Sequence, residues 1–420
     1  MHRTITMPLQ PPVRRKRRLK AELPEHGPAA GVTAPGAALE AGRFPVVQAV
    51  TLVERYASID VARGFAIFLM ILSHCVVGLV PFDTLTGFQL IPVHLITKFS
   101  STLFILVFGA SLAIIYAQQA LRPDWRERRL KLVMRGLEIL VWYKVLTFVQ
   151  MFQTYDRAII LEAILFMRFP DFVEVLGFYG IFLLWFPFAM PRFVKLSVPA
   201  QLACAFALAA AGAYLNVIWD AGRWTPLKAI LVEHDGLFTF GQFQRGALVL
   251  FGMVVGRALI ENTNSRRQLT VFGFGLASLA VFFYRAQGNV EGALLNVASN
   301  IGKHPPSLEF MSFSLGGALV LLAAAMYVKS RVPIWLELFA VLGRKSLQAF
   351  VFHIFVIFVL YRYLLDLRHQ VSYATALGLA LSTVLLTVLW VLALEFKTKT
   401  SRSRSSPRLN PEKAAWGGGL

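Results

Sequence analysis

Apolar residues fall along this chain in runs of about twenty, the length a helix needs to cross the hydrocarbon core of a bilayer. Ten such runs are read from the pattern: 62–81, 95–117, 130–151, 172–190, 197–218, 237–259, 269–284, 307–328, 346–365 and 373–396. The third and sixth are the most polar, with Arg135, Glu138 and Lys144 in one and Gln242, Gln244 and Arg245 in the other. YDRAIILEAILFMRF (155–169) is too short and too charged to span, and fits an amphipathic helix lying on the membrane surface. The fold expected is all-α: a polytopic integral membrane bundle of about ten transmembrane helices with both termini cytoplasmic.

The ends differ from the middle. Residues 1–48 hold PPVRRKRRLK and a stretch rich in Ala, Pro and Gly, with neither helical nor strand period, and read as a disordered basic cytoplasmic tail. That tail binds anionic lipid headgroups or simply fixes orientation. It lacks an apolar signal core, so the first run is expected to be an uncleaved signal anchor. Residues 49–397 make the membrane domain, and 398–420 a second disordered basic tail. No internal repeat is evident, which argues against an inverted-repeat transporter.

Composition sharpens this picture. Hydrophobic residues make up 56% of the 420, charged residues 15%, and Phe alone occurs 35 times, more apolar surface than a soluble fold has interior to hide. The net charge of +19 first suggests nucleic acid. With the first tail placed inside and the spans alternating, however, 29 of the 42 basic residues fall in cytoplasmic segments and eight in outside ones. The charge follows membrane side rather than forming one groove, so no nucleic acid is expected as a partner. Cys75 and Cys204 lie in apolar runs without CxxC spacing, which leaves neither a disulfide scaffold nor a zinc-thiolate site. No GxxxxGK[ST], HExxH or GxSxG occurs, removing the main sequence support for ATP-driven transport, zincin and α/β-hydrolase chemistry.

The five remaining basic residues, Arg63, Lys98, Arg135, Lys144 and Arg245, lie within spans, where an ionisable group is costly unless paired or hydrated. The first span is the densest case. At about 100° per residue Arg63 lies some 20° from His74 and Asp60 about 40° to the other side, so all three project from one face. Arg63 and His74 are about 16 Å apart along the axis, which sets a charged pair at the inner mouth below an imidazole near the midplane. A neutral His there can take a proton from a hydroxyl or amine, and Arg63 can hold the phosphates of an anionic donor or pair with Asp60. The alternative is that His74 only hydrogen-bonds between helices while Arg63 and Asp60 serve topology and capping.

Asp60-Val-Ala-Arg63-Gly64, with His74 ten intervening residues after Arg63, resembles the first-helix signature of the transmembrane acyltransferase superfamily. That group includes acyltransferase family 3 and the heparan-α-glucosaminide N-acetyltransferase-type proteins. TKFSSTLFILVFGASLAIIYA (97–117), FGMVVGR (251–257), KHPPSLEFMSFSLGGALVLL (303–322) and LGRKSLQAFVFHIFVIFVL (342–360) are similar to further elements of the acetyltransferase-type branch. The likeness runs from residue 55 to about 365. It implies that His74 is the catalytic histidine and that Arg63 serves the acyl donor. In the acetyltransferase-type branch the active histidine is better placed before the second span, where this chain has His94 in PVHLITK; the choice between the two stays open. The outer loop 82–94 is short and poorly charged, and no second carboxylate motif for the acceptor is found, both departures from the pattern.

Further polar residues carry lesser expectations. His304, and Glu309 about one turn on, bind an acceptor sugar or lipid, or else Pro305 and Pro306 simply start a helix. Arg344 and Lys345, beside Ser346, bind the phosphates of coenzyme A together with Arg135 and Lys144, or mark the cytoplasmic side only. His353 reads as packing against its neighbours. Gln242, Gln244 and Arg245 line a polar cavity or bond between helices.

The function expected is acyl transfer in the membrane. An acyl-CoA, acetyl-CoA in particular, enters from the cytoplasm past Arg63, Arg344 and Lys345, and a hydroxyl or amine of a glycan or glycolipid is acylated with His74 or His94 as base and Asp60 at the site. No metal is expected. The short loops suit a bacterial inner membrane. The rival readings are a transporter or flippase of a lipid-linked or anionic substrate, a bis-His haem protein, and an inactive relative serving as an assembly partner.

Overall fold

The computed structural model describes residues 52–81, 84–85, 91–234, 236–237, 239–261, 265–327 and 333–405. The tail expected over 1–48 lies outside them, as do residues 406–420 of the second tail, whose first residues continue the last helix to Ser405. The chain forms α1 (Leu52–Leu79), α2 (Ile91–Thr97), α3 (Phe99–Tyr116), α4 (Trp125–Met151) and α5 (Arg157–Ile164). It continues through α6 (Glu174–Lys195), α7 (Val198–Ile218), α8 (Thr225–Val232), α9 (Gln244–Glu261) and α10 (Ser265–Arg285). It ends with α11 (Val290–Ala298), α12 (Leu308–Met326), α13 (Ile334–Arg344), α14 (Ser346–Phe355) and α15 (Tyr373–Ser405), with a π-helical stretch Val356–Leu364 following α14.

Among the described residues there is no strand, and eight helical stretches are long and apolar enough to cross a membrane. These are Ala57–Leu79, Pro92–Tyr116, Glu174–Lys195, Val198–Ile218, Gln268–Arg285, Leu308–Met326, Ser346–Leu364 and Tyr373–Lys397. The protein is an all-α polytopic membrane bundle. The two remaining expected runs are helical as α4 and α9, of 27 and 18 residues, but their charges leave them less apolar than the eight. A short helix, α5, does form within 155–169.

Two local differences from the sequence pattern have clear causes. The sixth run was expected from 237, yet α9 begins only at Gln244. Glu233 adopts φ 69°, the chain folds back so that the Gln242 and Phe243 N–H groups donate to Ile230 O and Leu231 O, and the Glu233 carboxylate accepts from Gly241 N. Residues 329–345, expected as a cytoplasmic loop, contain α13. Its eleven residues are too few to span, and Leu336, Ala340 and Val341 recur at helical spacing on its buried side.

α1 is the hub, packing against α13, α3, α15 and α12. Small residues permit the closest approaches. A Cβ built on Gly64 would stand 1.7 Å from Phe339 O of α13, and one on Gly343 1.9 Å from Asp60 O of α1, so the two backbones touch reciprocally. On the other side of α3, Gly252 and Gly256 of α9 lie against Leu106 O and Ala110 O, which accounts for the four-residue glycine spacing in FGMVVGR. In contrast, α7 and α10 leave large apolar side chains such as Phe206, Val217 and Tyr284 exposed, as lipid-facing helices would.

Candidate active site

The α1–α13 contact determines where Arg63 goes. Its guanidinium donates to Gly343 O at 3.1 Å and to Ser111 Oγ of α3 at 2.7 Å, with Asp60 Oδ1 at 3.4 Å one turn back. Arg63 therefore ties α1 to two other helices, α13 and α3, and holds Asp60 by only one long contact. It borders a cavity of about 290 Å³ whose wall follows α3 from Tyr116 and Ile115 to Phe104. Leu132, Arg135 and Ile139 of α4 and Leu176, Tyr179 and Leu183 of α6 close it, with Ser346, Leu347 and Phe350 of α14 on the remaining side. The twelve helical steps of α3 from Phe104 to Tyr116 correspond to about 18 Å. The lining is mainly apolar and aromatic, with Arg63, Arg135, Ser111 and Ser346 as its polar points.

Phe350 links this cavity to His74, its ring lying 6.4 Å from that of His74 and 5.0 Å from that of His353. His74 Nδ1 and His353 Nε2 are 3.1 Å apart, the ring planes inclined by 24°. His353 Nδ1 is 3.1 Å from Ala349 O, one turn earlier on α14, and the His353 side chain is fully buried. His353 packs against its neighbours, as its context suggests, and is in addition the hydrogen-bond partner of His74. The depth of the two residues carried the signal. His353 stands seven residues past Ser346 and His74 eleven past Arg63, so the two lie roughly 10 and 16 Å along their helices from residues that both border the cavity. Phe172, held at φ 68° in the segment before α6, closes over His74 edge-on at 5.1 Å. Lys303, in the loop before α12, lies 3.8 Å from Glu174 at the start of α6.

The other expected residues are dispersed. His94 sits on α2, buried, with its ring 5.8 Å from that of Tyr373 at the start of α15. Arg344 does not line the cavity: it bonds Glu395 Oε1 at 2.7 Å and Glu337 Oε1 at 2.9 Å, which ties α13 to α15. Lys345 follows at the α13–α14 junction and is likewise not part of the wall, whereas Ser346 and Arg135 are. Arg135 also pairs with Glu138 at 2.5 Å, and Lys144 donates to Ala163 O of α5 at 2.7 Å.

His304 and Glu309 turn to different partners. Glu309 is exposed and 3.5 Å from Arg285, on a separate polar cavity of about 420 Å³ beside α11. His304 Nδ1 lies 3.0 Å from Glu233 Oε2 and its ring stacks on Phe240. Glu233 Oε1 accepts from Arg245 Nε at 2.8 Å, and Arg245 also donates to Lys303 O at 2.7 Å. Arg245 and Glu233 are 1% and 0% exposed, so this is a buried ion pair clamping the loop before α9 to the loop before α12. Burial works against the Glu233 charge, yet Arg245 and His304 hold its carboxyl below the usual range. Burial is the main reason His304 is also held below its ordinary value, with Lys303 and Arg245 adding to it and Glu233 opposing. Arg245 therefore bonds between elements rather than lining an open cavity. Glu233, a lone carboxylate outside any run, offered no pattern by which to find it.

Among the described residues no group of three or more His, Cys, Asp or Glu is arranged to hold a metal ion. No curated protein and no solved structure matches the chain. A family profile does: that of acyltransferase family 3, described as an acyltransferase domain, matches residues 56–395, a stretch containing Asp60, Arg63, His74, the cavity wall and His353. A membrane bundle with a histidine beside a deep, arginine-bordered cavity and this match across most of its length lead to one conclusion: the chain belongs to acyltransferase family 3 and is a membrane acyltransferase.

Proposed function

We propose that the protein transfers an acyl group, acetyl in particular, from acyl-CoA to a hydroxyl or amine of a glycan or glycolipid. The observation that carries this reading is the cavity that begins at Arg63 and Arg135 and ends at Phe350, against the His74–His353 pair. Its apolar walls suit the pantetheine arm and acyl group of the donor, which would enter as an extended chain. Arg63, braced by Ser111 and Gly343 O, keeps further N–H groups for the donor, and Arg135 brings positive charge to the phosphate end. Arg344 is held by two carboxylates and has a structural role in this reading.

The acceptor approaches His74 from the side of Phe172 and Lys303. Nε2 of His74 takes the proton of the acceptor O–H or N–H as that atom bonds to the thioester carbonyl carbon. The C–S bond then breaks, and the thiolate of coenzyme A leaves with the proton from His74. No covalent enzyme intermediate is needed. His94 takes no part.

The test is transfer of label from radiolabelled acetyl-CoA to a panel of glycan and glycolipid acceptors by the full chain in nanodiscs. Label should move in the wild type, fall to background in His74→Ala and persist in His94→Ala. Transfer by His74→Ala at the wild-type rate would overturn the assignment of the base. Movement of acceptor across the membrane without consumption of acetyl-CoA would point to transport instead.

A further inference from the structure

His353 is fully buried, was not singled out for chemistry by its sequence context, and sits where a base needs a partner. A peptide carbonyl only accepts hydrogen bonds, so the contact from His353 to Ala349 O places a proton on His353 Nδ1. Among the described residues no carboxylate pairs with either imidazole, and a buried imidazolium without a counter-charge is costly, so the resting pair is neutral. In a neutral ring a protonated Nδ1 leaves Nε2 as an acceptor. His74 Nδ1, 3.1 Å away, must then be the donor, and the lone pair of His74 falls on Nε2.

We propose that His353 is a positioning residue that sets the tautomer and orientation of His74, so that Nε2 of His74 is the basic nitrogen offered to the acceptor. The inference rests on His74 being the base. Proton flow through the pair is limited to His74: Nε2 gains the acceptor's proton and returns it to the departing thiolate, while the Nδ1–H···Nε2 hydrogen bond persists and strengthens as His74 becomes cationic. His353 replaces the carboxylate that orients the histidine in a serine-type triad, and as a neutral acceptor it avoids a permanent charge inside the bundle. Phe350 and Phe172, both edge-on to His74, restrict rotation of its ring. Ala349 O, fixed by the helix, makes the register of α14 part of the site.

The experiment begins with the unliganded protein. Full-length chain carrying 15N-histidine is reconstituted in nanodiscs and the His74 resonances are identified by their loss in His74→Ala; eight histidines make this tractable. The wild type should show His74 protonated at Nδ1 and bare at Nε2. In His353→Leu, which keeps bulk and removes the acceptor, His74 should shift towards the Nε2-protonated form. His353→Gln, whose Oε1 can accept in place of Nε2, should retain the wild-type pattern. Turnover is followed by thiol release from acetyl-CoA with octyl β-glucoside as a defined hydroxyl acceptor. His353→Leu should lower kcat by about 10²-fold and leave KM for acetyl-CoA within about two-fold, with His353→Gln recovering most of the rate.

A wild-type His74 protonated at Nε2 overturns the proposal whatever the variants do. So does a folded His353→Leu with unchanged tautomer, or one with unchanged kcat while His74→Ala is inactive. If His74→Ala itself turns over normally, the base assignment fails, a result separate from any effect of His353.

Discussion

Gly64→Ala tests whether the backbone contact between α1 and α13 builds the Arg63 end of the cavity. The added methyl would stand 1.7 Å from Phe339 O, 2.5 Å from its carbonyl carbon and 2.8 Å from its Cα, all backbone atoms that cannot rotate away. To reach an ordinary contact of 3.4 Å the helices must separate by about 1.7 Å. Arg63 and Gly343 O, now 3.1 Å apart, would then stand up to about 4.8 Å apart, beyond hydrogen-bonding range. The face-to-face Phe65–Phe339 stack, with centroids at 3.9 Å, would open as well. Overpacking of about 1–3 kcal/mol and loss of a charge-assisted hydrogen bond of about 1.5–3 kcal/mol give a destabilisation of roughly 2.5–6 kcal/mol. The assay is reversible unfolding in mixed micelles, with Gly78→Ala as the control on the same helix, since a Cβ there meets only Ile357 Cγ2 at 3.6 Å. The control should be neutral or slightly stabilising, by up to about 1 kcal/mol. A Gly64→Ala protein within about 0.5 kcal/mol of wild type would refute the account of how Arg63 is held.

Three other outcomes are expected. Glu233→Gln leaves Arg245 buried without its carboxylate and should destabilise by about 3–5 kcal/mol, whereas the double change Glu233→Gln with Arg245→Met should restore part of that loss in the same unfolding assay. Acid should weaken the fold: the pKa of Glu233 and that of His304 are both depressed in the folded protein, so each contributes stability above its unfolded pKa and loses it as pH falls through the folded one. Unfolding midpoints should accordingly drop first below pH ~6.5 and again in the carboxylate range, with the first step smaller in a His304→Phe protein, where the buried neutral His74 and His353 still contribute to it. Arg344→Ala should leave KM for acetyl-CoA unchanged and lower stability by about 1 kcal/mol or less, because the residue is a third exposed and bridges Glu337 and Glu395 outside the cavity. A several-fold rise in that KM would return Arg344 to the donor site.

Much of the architecture was legible from the chain. A span needs about twenty apolar residues, and that requirement acts on each segment alone, so runs of the right length declare themselves without knowledge of their neighbours. The same holds for Asp60, Arg63 and His74, which one helix brings onto one face by its period. Pairings between segments were a different matter. His74 meets His353 across 279 positions, Arg63 meets Gly343 across 280, and Glu233 meets His304 across 71. Neither partner's local pattern contains the other, and the contacts depend on how closely two backbones approach, which Gly64 and Gly343 permit and no periodicity encodes. Amphipathic α13 escaped notice because eleven residues cannot span, although it packs along the hub helix. The sequence thus determined the membrane class, the approximate number of helices and the shared face of Asp60, Arg63 and His74 on the first span. Only the packing of those elements decided that Arg135 rather than Arg344 borders the cavity, that His304 belongs to a buried ion-pair network, and that His74 has a second histidine beside it, since each is a contact between segments distant in sequence, set by how closely they pack.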